Sequence, residues 1–330
     1  MVREEGARRS EPSLEVGLTA VILAVTEDEP RVLTVPGPPG QASPRAALPS
    51  GPLDPCGDRT LERCLRGWVR EQTGLELGYV EQLYTFGDRN RHPAERRGGP
   101  RVISIAYLAL VRESRPPAGG ASWQDVYAFL PWEDWRAGRP RLVADNLLPR
   151  LKLWLAESTS PPVRQGRLER AAIAFGFDES AWDYERVLER YELMYEAGMV
   201  AEYYSDRSLE PPTPGTGEGD VLFGTALAFD HRRILATALG RLRGKIRYRP
   251  VVFELLPETF TLSQLQRVVE ALAGRRLHTQ NFRRLLDRGG LVEGTGELDL
   301  NTGGRPAEQF RFRREVLRER RAPGVGLPGQ

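Results

Sequence analysis

Cysteine, histidine and lysine are scarce in this chain of 330 residues, and long apolar runs are absent. Two cysteines, Cys56 and Cys64, supply neither a disulfide framework nor a CxxC zinc site. Three scattered histidines, His92, His231 and His278, argue against a His-based metal centre. No apolar stretch approaches the roughly 20 residues of a membrane span. The first residues, MVREEGARRSEPSLEVGL, contain no hydrophobic stretch of the kind that marks a secretory signal. These absences predict a soluble cytoplasmic protein with no membrane contact. The only lysines are Lys152 and Lys245. A high-GC genome accounts for arginine in their place, so arginine richness alone does not argue for a function.

What is present is a 40% apolar fraction, enough for real cores, and a charge asymmetry hidden by a net of +2. From Phe229 to Arg321 there are 20 Lys/Arg against 11 Asp/Glu, a net of +9, which leaves −7 for the rest. A basic C-terminal part and an acidic N-terminal part predict two jobs, the basic one directed at an anionic partner. Polar or Pro/Gly-rich punctuation falls before Leu14, at 158–163, at Pro211–Gly219 and in the tail from Ala322. The expected organisation is an α/β domain at 14–157, a helical extension and linker at 158–220, a winged helix domain at 221–316 and a disordered tail at 317–330.

Apolar patterning predicts strands at Val16–Val25, Arg31–Val35, Val80–Phe86 and Val102–Val111, with a hairpin turn at Glu27–Pro30. Thr60–Gln72 is predicted helical: Leu61, Cys64, Leu65, Trp68 and Val69 recur at helical spacing, and Gly74 supplies the stop. Further helices are expected at Leu148–Ala156, within 164–207 (including Tyr184–Ala197), and at His231–Lys245 behind Asp230 as N-cap. Two more follow, Leu262–Ala273 behind Thr261 and Gln280–Arg288 ended by Gly289-Gly290. Leu291–Glu293 and Glu308–Arg313 read as a hairpin with a Gly-rich connection. Four of the six tryptophans lie in 122–157, and aromatics at helical spacing continue to Tyr204, as core or interface packing.

Two helices and a Gly-rich hairpin match a winged helix-turn-helix, whose second helix enters the major groove. There Phe282, Leu285 and Leu286 form a buried stripe, leaving Thr279, Gln280, Asn281, Arg283 and Arg284 to face outward. These residue types read base edges or hold phosphates. Arg305, in Gly303-Gly304-Arg305-Pro306-Ala307, is placed for a minor groove, and Arg311 on the second wing strand completes the DNA-contacting set.

The segment Leu48-Pro49-Ser50-Gly51 … Arg70-Glu71-Gln72-Thr73-Gly74-Leu75 resembles the Nudix box, the loop–helix–loop G-x5-E-x7-R-E-U-x-E-E-x-G-U with U aliphatic, and the resemblance covers about 100 residues. It implies a Nudix-like α/β/α sandwich. Nudix hydrolysis needs several carboxylates on one helix face to hold Mg²⁺. Anchored on Gly74-Leu75, the acidic pair falls on Glu71 and Gln72, and the Arg-Glu pair on Gly67 and Trp68. One carboxylate beside an amide is a poor magnesium site, so no catalytic residue, metal or required cofactor is expected. A nucleotide effector (ADP-ribose, NAD or ATP) fits instead. Glu71, Tyr84, Arg89, Arg91 and Arg101 are its candidate contacts, an aromatic for stacking and arginines for phosphates.

The stretch FDHRRILATALGRLRGK … FELLPETFTLSQLQ … NFRR … GRPA resembles the C-terminal domain of Nudix-related transcriptional regulators, the NrtR group and its NadQ-like relatives. The longer 122–210 region points to the NadQ-like branch. The resemblance implies a dimeric repressor of NAD-synthesis genes on double-stranded operator DNA, with a nucleotide sensed by the Nudix-like part. Two rivals remain: a Nudix pyrophosphatase acting on ADP-ribose or a related dinucleotide, and an adaptor whose basic winged helix binds protein.

Overall fold

The computed structural model describes residues 14–326 apart from 39–44, 90, 114–117, 159, 177–180, 213–221 and 301–304. The chain opens with β1 (Leu14–Thr26), β2 (Glu29–Thr34) and β3 (Ser50–Pro52), then α1 (Leu61–Thr73), β4 (Tyr79–Phe86) and α2 (Pro93–Arg96). Next come β5 (Arg101–Leu110), β6 (Ser122–Asp125), α3 (Val126–Phe129) and α4 (Leu148–Ala156), the last entered through a π-helical turn at Leu142–Leu147. Helices α5 (Pro161–Phe175), α6 (Val187–Glu196) and α7 (Ala201–Arg207) form an extension. The C-terminal part holds α8 (His231–Ile246), β7 (Thr259–Phe260), α9 (Leu262–Ala273), α10 (Thr279–Gly289), β8 (Val292–Asp299), β9 (Ala307–Phe312) and α11 (Val316–Glu319).

The first sheet runs β4-β5-β1-β2-β6, with β3 also on β1. Only the β1–β5 pairing is parallel; β1–β2, β1–β3, β2–β6 and β4–β5 are antiparallel. Period-2 alternation sends Leu18, Ala20 and Ile22 of β1 to one face, where α1 covers them with Cys64, Leu65 and Val69. Val21 and Leu23 face the other way, into a core shared with Ile234, Leu235, Leu239 and Leu242 of α8. The sheet is thus sandwiched between α1 and α8. That second core continues without a break into Leu265, Val269 and Leu272 of α9 and Phe282 and Leu286 of α10. The second sheet, β7-β9-β8, closes the winged helix.

A buried charged junction joins the first sheet's domain, the helical extension and the winged helix. Glu133 accepts from Arg190 Nε at 2.6 Å and from Arg243 Nη1 at 2.6 Å, and none of the three side chains reaches solvent. Arg243 also donates to the Leu272 carbonyl at 3.0 Å, and Arg190 to those of Ala174 and Asp183. The Arg190 guanidinium lies 3.9 Å over the Trp182 ring. Burying these charges is tolerable because each is paired and its remaining donors find carbonyls. Tyr127 Oη donates to the Ala271 carbonyl at 2.6 Å, and the Trp135 amide to that of Gly274 at 2.7 Å. A second buried pair, Arg232 with Glu202, ties α8 to α7.

Several expectations are corrected. The β1–β2 loop is only Glu27-Asp28, both left-handed (φ 51° and 65°), while Glu29 and Pro30 already pair in β2. Asp28 meets Arg267 of α9 at 2.8 Å, and its carbonyl accepts from Arg136, contacts that hold this unfavourable tip. The punctuation at 158–163 ends early, because Pro161 opens α5, where a missing N–H costs nothing. The helix expected from Tyr184 starts at Val187. Asp230 makes no side-chain cap, since its carboxylate is taken by Arg91. The tail is ordered through Gly326: Val325 is buried and donates to the Ile246 carbonyl at 2.9 Å, satisfying the end of α8. The aromatics of 122–204 serve the chain's own core, Trp132, Trp154, Tyr184 and Tyr191 all being buried. Most of the Pro211–Gly219 linker and Gly303-Gly304 of the wing lie outside the described residues.

Candidate DNA interface and effector cavity

Thr261 and Gln264 form a reciprocal capping box that starts α9, and Gly274 ends it in the left-handed region (φ 67°). Only glycine fits there: a Cβ would stand 2.3 Å from the Glu133 carbonyl oxygen. The turn to α10 is fastened by Glu270, which accepts from the Leu277 amide at 2.8 Å, Gln266 Nε2 at 2.9 Å and Arg276 at 2.8 Å. Burial works against the Glu270 carboxylate, yet these hydrogen bonds hold its pKa below the ordinary value.

Helix α10 buries Phe282 and Leu286, while Leu285 is half-buried. Thr279, Gln280, Asn281, Arg283 and Arg284 are all exposed. Arg284 donates to Asn281 Oδ1. On the wing, Arg311 pairs with Glu293 across the β8–β9 register at 2.6 Å, and Arg305 is exposed beside the connection. Arg276 and His278, which sequence reasoning did not single out, are exposed beside the first turn of α10. The signal for them was available, since both precede the helix within its turn.

The other candidate site lies on the α8 side of the sheet. A cavity of ≈ 240 Å³ is lined by Gly17 and Thr19 of β1, Ser104 of β5, Arg91, His92, Phe229 and His231, among others. Arg91 and Asp230 are buried together, Nε meeting Oδ2 at 2.8 Å and Nη2 meeting Oδ1. The His92 and Phe229 rings stack at 4.8 Å. Phe229 holds φ 55°, a strained conformation for a bulky residue. The Leu48 amide donates to His231 Nδ1 at 2.9 Å, so the neutral ring carries its proton on Nε2.

Of the effector residues expected from sequence, Arg91 alone lines this cavity. Tyr84 is exposed, packed edge-on to Phe86. Arg101 donates to the Gly87 carbonyl, and Arg89 and Glu71 are exposed. Phe229 and His231 were missed because nothing local marks them; they reach the cavity only when α8 docks on the sheet.

Burial pushes the His231 imidazole down from 6.5 to about 4, with Asp230 opposing and Arg91 and His92 assisting. A histidine depressed in the fold binds its proton first in the unfolded chain. Stability should therefore fall as pH drops through 6.5 and level off below 4, by on the order of 3 kcal/mol. Urea unfolding across this range tests it: His231→Asn should remove that part of the slope.

On α1, Trp68 donates from Nε1 to the Pro52 carbonyl at 2.9 Å. Gln72 brackets Ser50, donating to its carbonyl at 2.7 Å and accepting from its amide at 3.2 Å. A Cβ on Gly51 would stand 2.3 Å from the Trp68 ring. Among the described residues, no three His, Cys, Asp or Glu side chains group as a metal site, and no helix is long and apolar enough to cross a membrane.

Together these features define a Nudix-like α/β/α sandwich joined to a winged helix. Residues 252–312 match the family model of the NrtR DNA-binding winged helix domain. An ADPR responsive transcriptional repressor, NtrR, of Acinetobacter baylyi is 41% identical over 86 residues, 26% of this chain; the match spans about a third (34%) of that relative. The crystal structure of Shewanella oneidensis NrtR complexed with a 27mer DNA aligns at a TM-score of 0.52 and 20% identity, covering 91% of this chain and 94% of that one. A MutT/nudix family protein from Enterococcus faecalis aligns at 0.51 and 18% identity, over 94% and 90%. The C-terminal domain is therefore of the NrtR winged-helix type, and the fold across the chain is the one NrtR adopts.

Proposed function

We propose that this protein is a transcriptional repressor of NAD-metabolism genes, released from or recruited to its operator by a nucleotide of the ADP-ribose class. The observation that carries this is the NrtR-type winged helix at 252–312, whose α10 displays Thr279, Gln280, Asn281, Arg283 and Arg284 to solvent. Arg305 and Arg311 on the wing join this DNA-contacting set. The relative's response to ADP-ribose supports the choice of ligand. In this proposal residues 14–157 sense, 158–220 connect and 221–316 read DNA. Two copies bind a palindromic operator with half-sites one or more helical turns apart. The cavity that Arg91 lines is the effector site, and Arg89, Arg101, Tyr84 and Glu71 lie outside it as candidate contacts for the rest of the ligand.

The proposed sensor does not hydrolyse its ligand. Trp68 and Gln72, at positions where the Nudix pattern has carboxylates, are engaged with the β3 backbone. ADP-ribose incubated with the protein and Mg²⁺ should return intact by chromatography; turnover would favour the pyrophosphatase. The function itself is tested by mobility shift on DNA from upstream of NAD-synthesis genes, with and without ADP-ribose. Failure to retain any such fragment at moderate salt refutes the repressor.

A further inference from the structure

We propose that the cavity between the sheet and α8 takes the uncharged nucleoside end of the effector, and that His231 reads it by donating from Nε2–H to a ligand oxygen or ring nitrogen. This rests on the repressor proposal for its biological ligand. The cavity measures ≈ 240 Å³. That is below the roughly 300–1,000 Å³ of pockets that enclose a drug-sized molecule, so it holds one end of a dinucleotide-sized ligand.

Its chemistry selects which end. Among the described residues Arg91 is the one Lys or Arg in the lining, and its guanidinium is held by the buried Asp230 carboxylate. Glu15 stands at the wall as well, so these three charges sum to a net negative. A pyrophosphate would enter against that charge, Asp230 opposing it from the buried side and Glu15 from the exposed rim. The remaining wall suits a ribose or base: the Thr19 and Ser104 hydroxyls, 2.8 Å apart, and the stacked His92–Phe229 pair.

His231 is fixed for the purpose. Nδ1 is committed to the Leu48 amide, and among the described residues Nε2 has no hydrogen-bond partner. Because His231 opens α8, the occupant touches the helix whose Arg243, roughly 18 Å along it, bonds the Leu272 carbonyl at the end of α9. The reading residue and the support of the DNA-binding turn thus share one rigid element.

The test is calorimetric titration of the full chain with ADP-ribose, adenosine and inorganic pyrophosphate. Adenosine should compete with ADP-ribose, and pyrophosphate should not. His231→Asn places an acceptor where Nδ1 stands and nothing at Nε2, so the Leu48 amide stays satisfied. This variant should keep the circular dichroism of the parent and lose about tenfold or more in affinity for both nucleosidic probes. The ADP-ribose concentration that changes operator binding should shift by the same factor. Phe229→Leu, which removes the stacked wall, should weaken adenosine likewise. Unchanged binding by folded His231→Asn, or competition by pyrophosphate and not adenosine, overturns the inference and leaves the repressor proposal standing. Adenosine binding lost in His231→Asn, with no ADP-ribose binding in the parent, supports the inference and removes ADP-ribose as effector. Binding of neither probe to the parent chain overturns both.

Discussion

Alanine at both Arg283 and Arg284 is expected to abolish specific operator binding while leaving the chain folded. Both side chains are exposed on α10 while Phe282 and Leu286 are buried, so their removal takes nothing from the core. Each arginine contact to a base edge or phosphate is worth about 1–3 kcal/mol. In the proposed dimer the double substitution removes four of them, which predicts a loss of at least about a thousandfold. A mobility-shift titration measures it, with circular dichroism to confirm the fold. Nanomolar binding by the doubly substituted protein would remove α10 from the DNA-reading role. Phe282→Ala provides the contrast: it should lose DNA binding together with about 3–5 kcal/mol of stability, because it hollows the core under the same helix.

Glu133→Gln should be the most destabilising exchange of a single polar group in the molecule. It leaves Arg190 and Arg243 buried without their shared counter-charge. Breaking a buried pair from one side costs about 3–5 kcal/mol, which lowers Tm by roughly 4–7 °C in a chain of this size. Arg243→Met should cost less, since Glu133 keeps Arg190. Glu29→Gln, which removes one of the two carboxylates that Arg136 meets at a half-open site and leaves it Asp134, should stay within about 1 kcal/mol. A Glu133→Gln protein as stable as the parent would show that the junction contributes no net stability. The two arginines hold the Glu133 carboxylate below its ordinary pKa despite its burial. Its contribution is therefore present above the unfolded value of about 4.5 and is lost as pH falls through the lower folded one.

The parts legible in the sequence are those that local physics dictates. Leu262–Ala273 comes out with the bounds its cap and apolar spacing predict, and Leu148–Ala156 with those predicted for a helix that carries Pro149 in its first turn. The alternation in β1 and the long apolar run of β5 likewise declare strands. The solvent-exposed side of α10 follows from its buried stripe. Non-local features stayed hidden. Glu133 meets Arg190 and Arg243 across separations of 57 and 110 residues, and an arginine destined for the interior looks like any surface arginine beforehand. The cavity is hidden for the same reason: Phe229 and His231 sit far along the chain from β1 and β5, and only docking of α8 assembles them. β3 and β7 are too short for periodicity to register.

The arginines of this chain fall into two populations that ionic strength separates. Those on α10 and at the wing face water, where the Debye length is about 10 Å at 0.1 M salt and shrinks as salt is added. In the proposed repressor their hold on DNA is an exchange of condensed counterions, so it should fall linearly on a log–log plot against salt. Arg190 and Arg243, which share Glu133, and Arg232, which pairs with Glu202, sit where no ion penetrates. Added salt should therefore strip the proposed repressor from operator DNA long before it loosens the seam between the first domain and the winged helix. A protein in high salt would be off DNA yet still internally coupled.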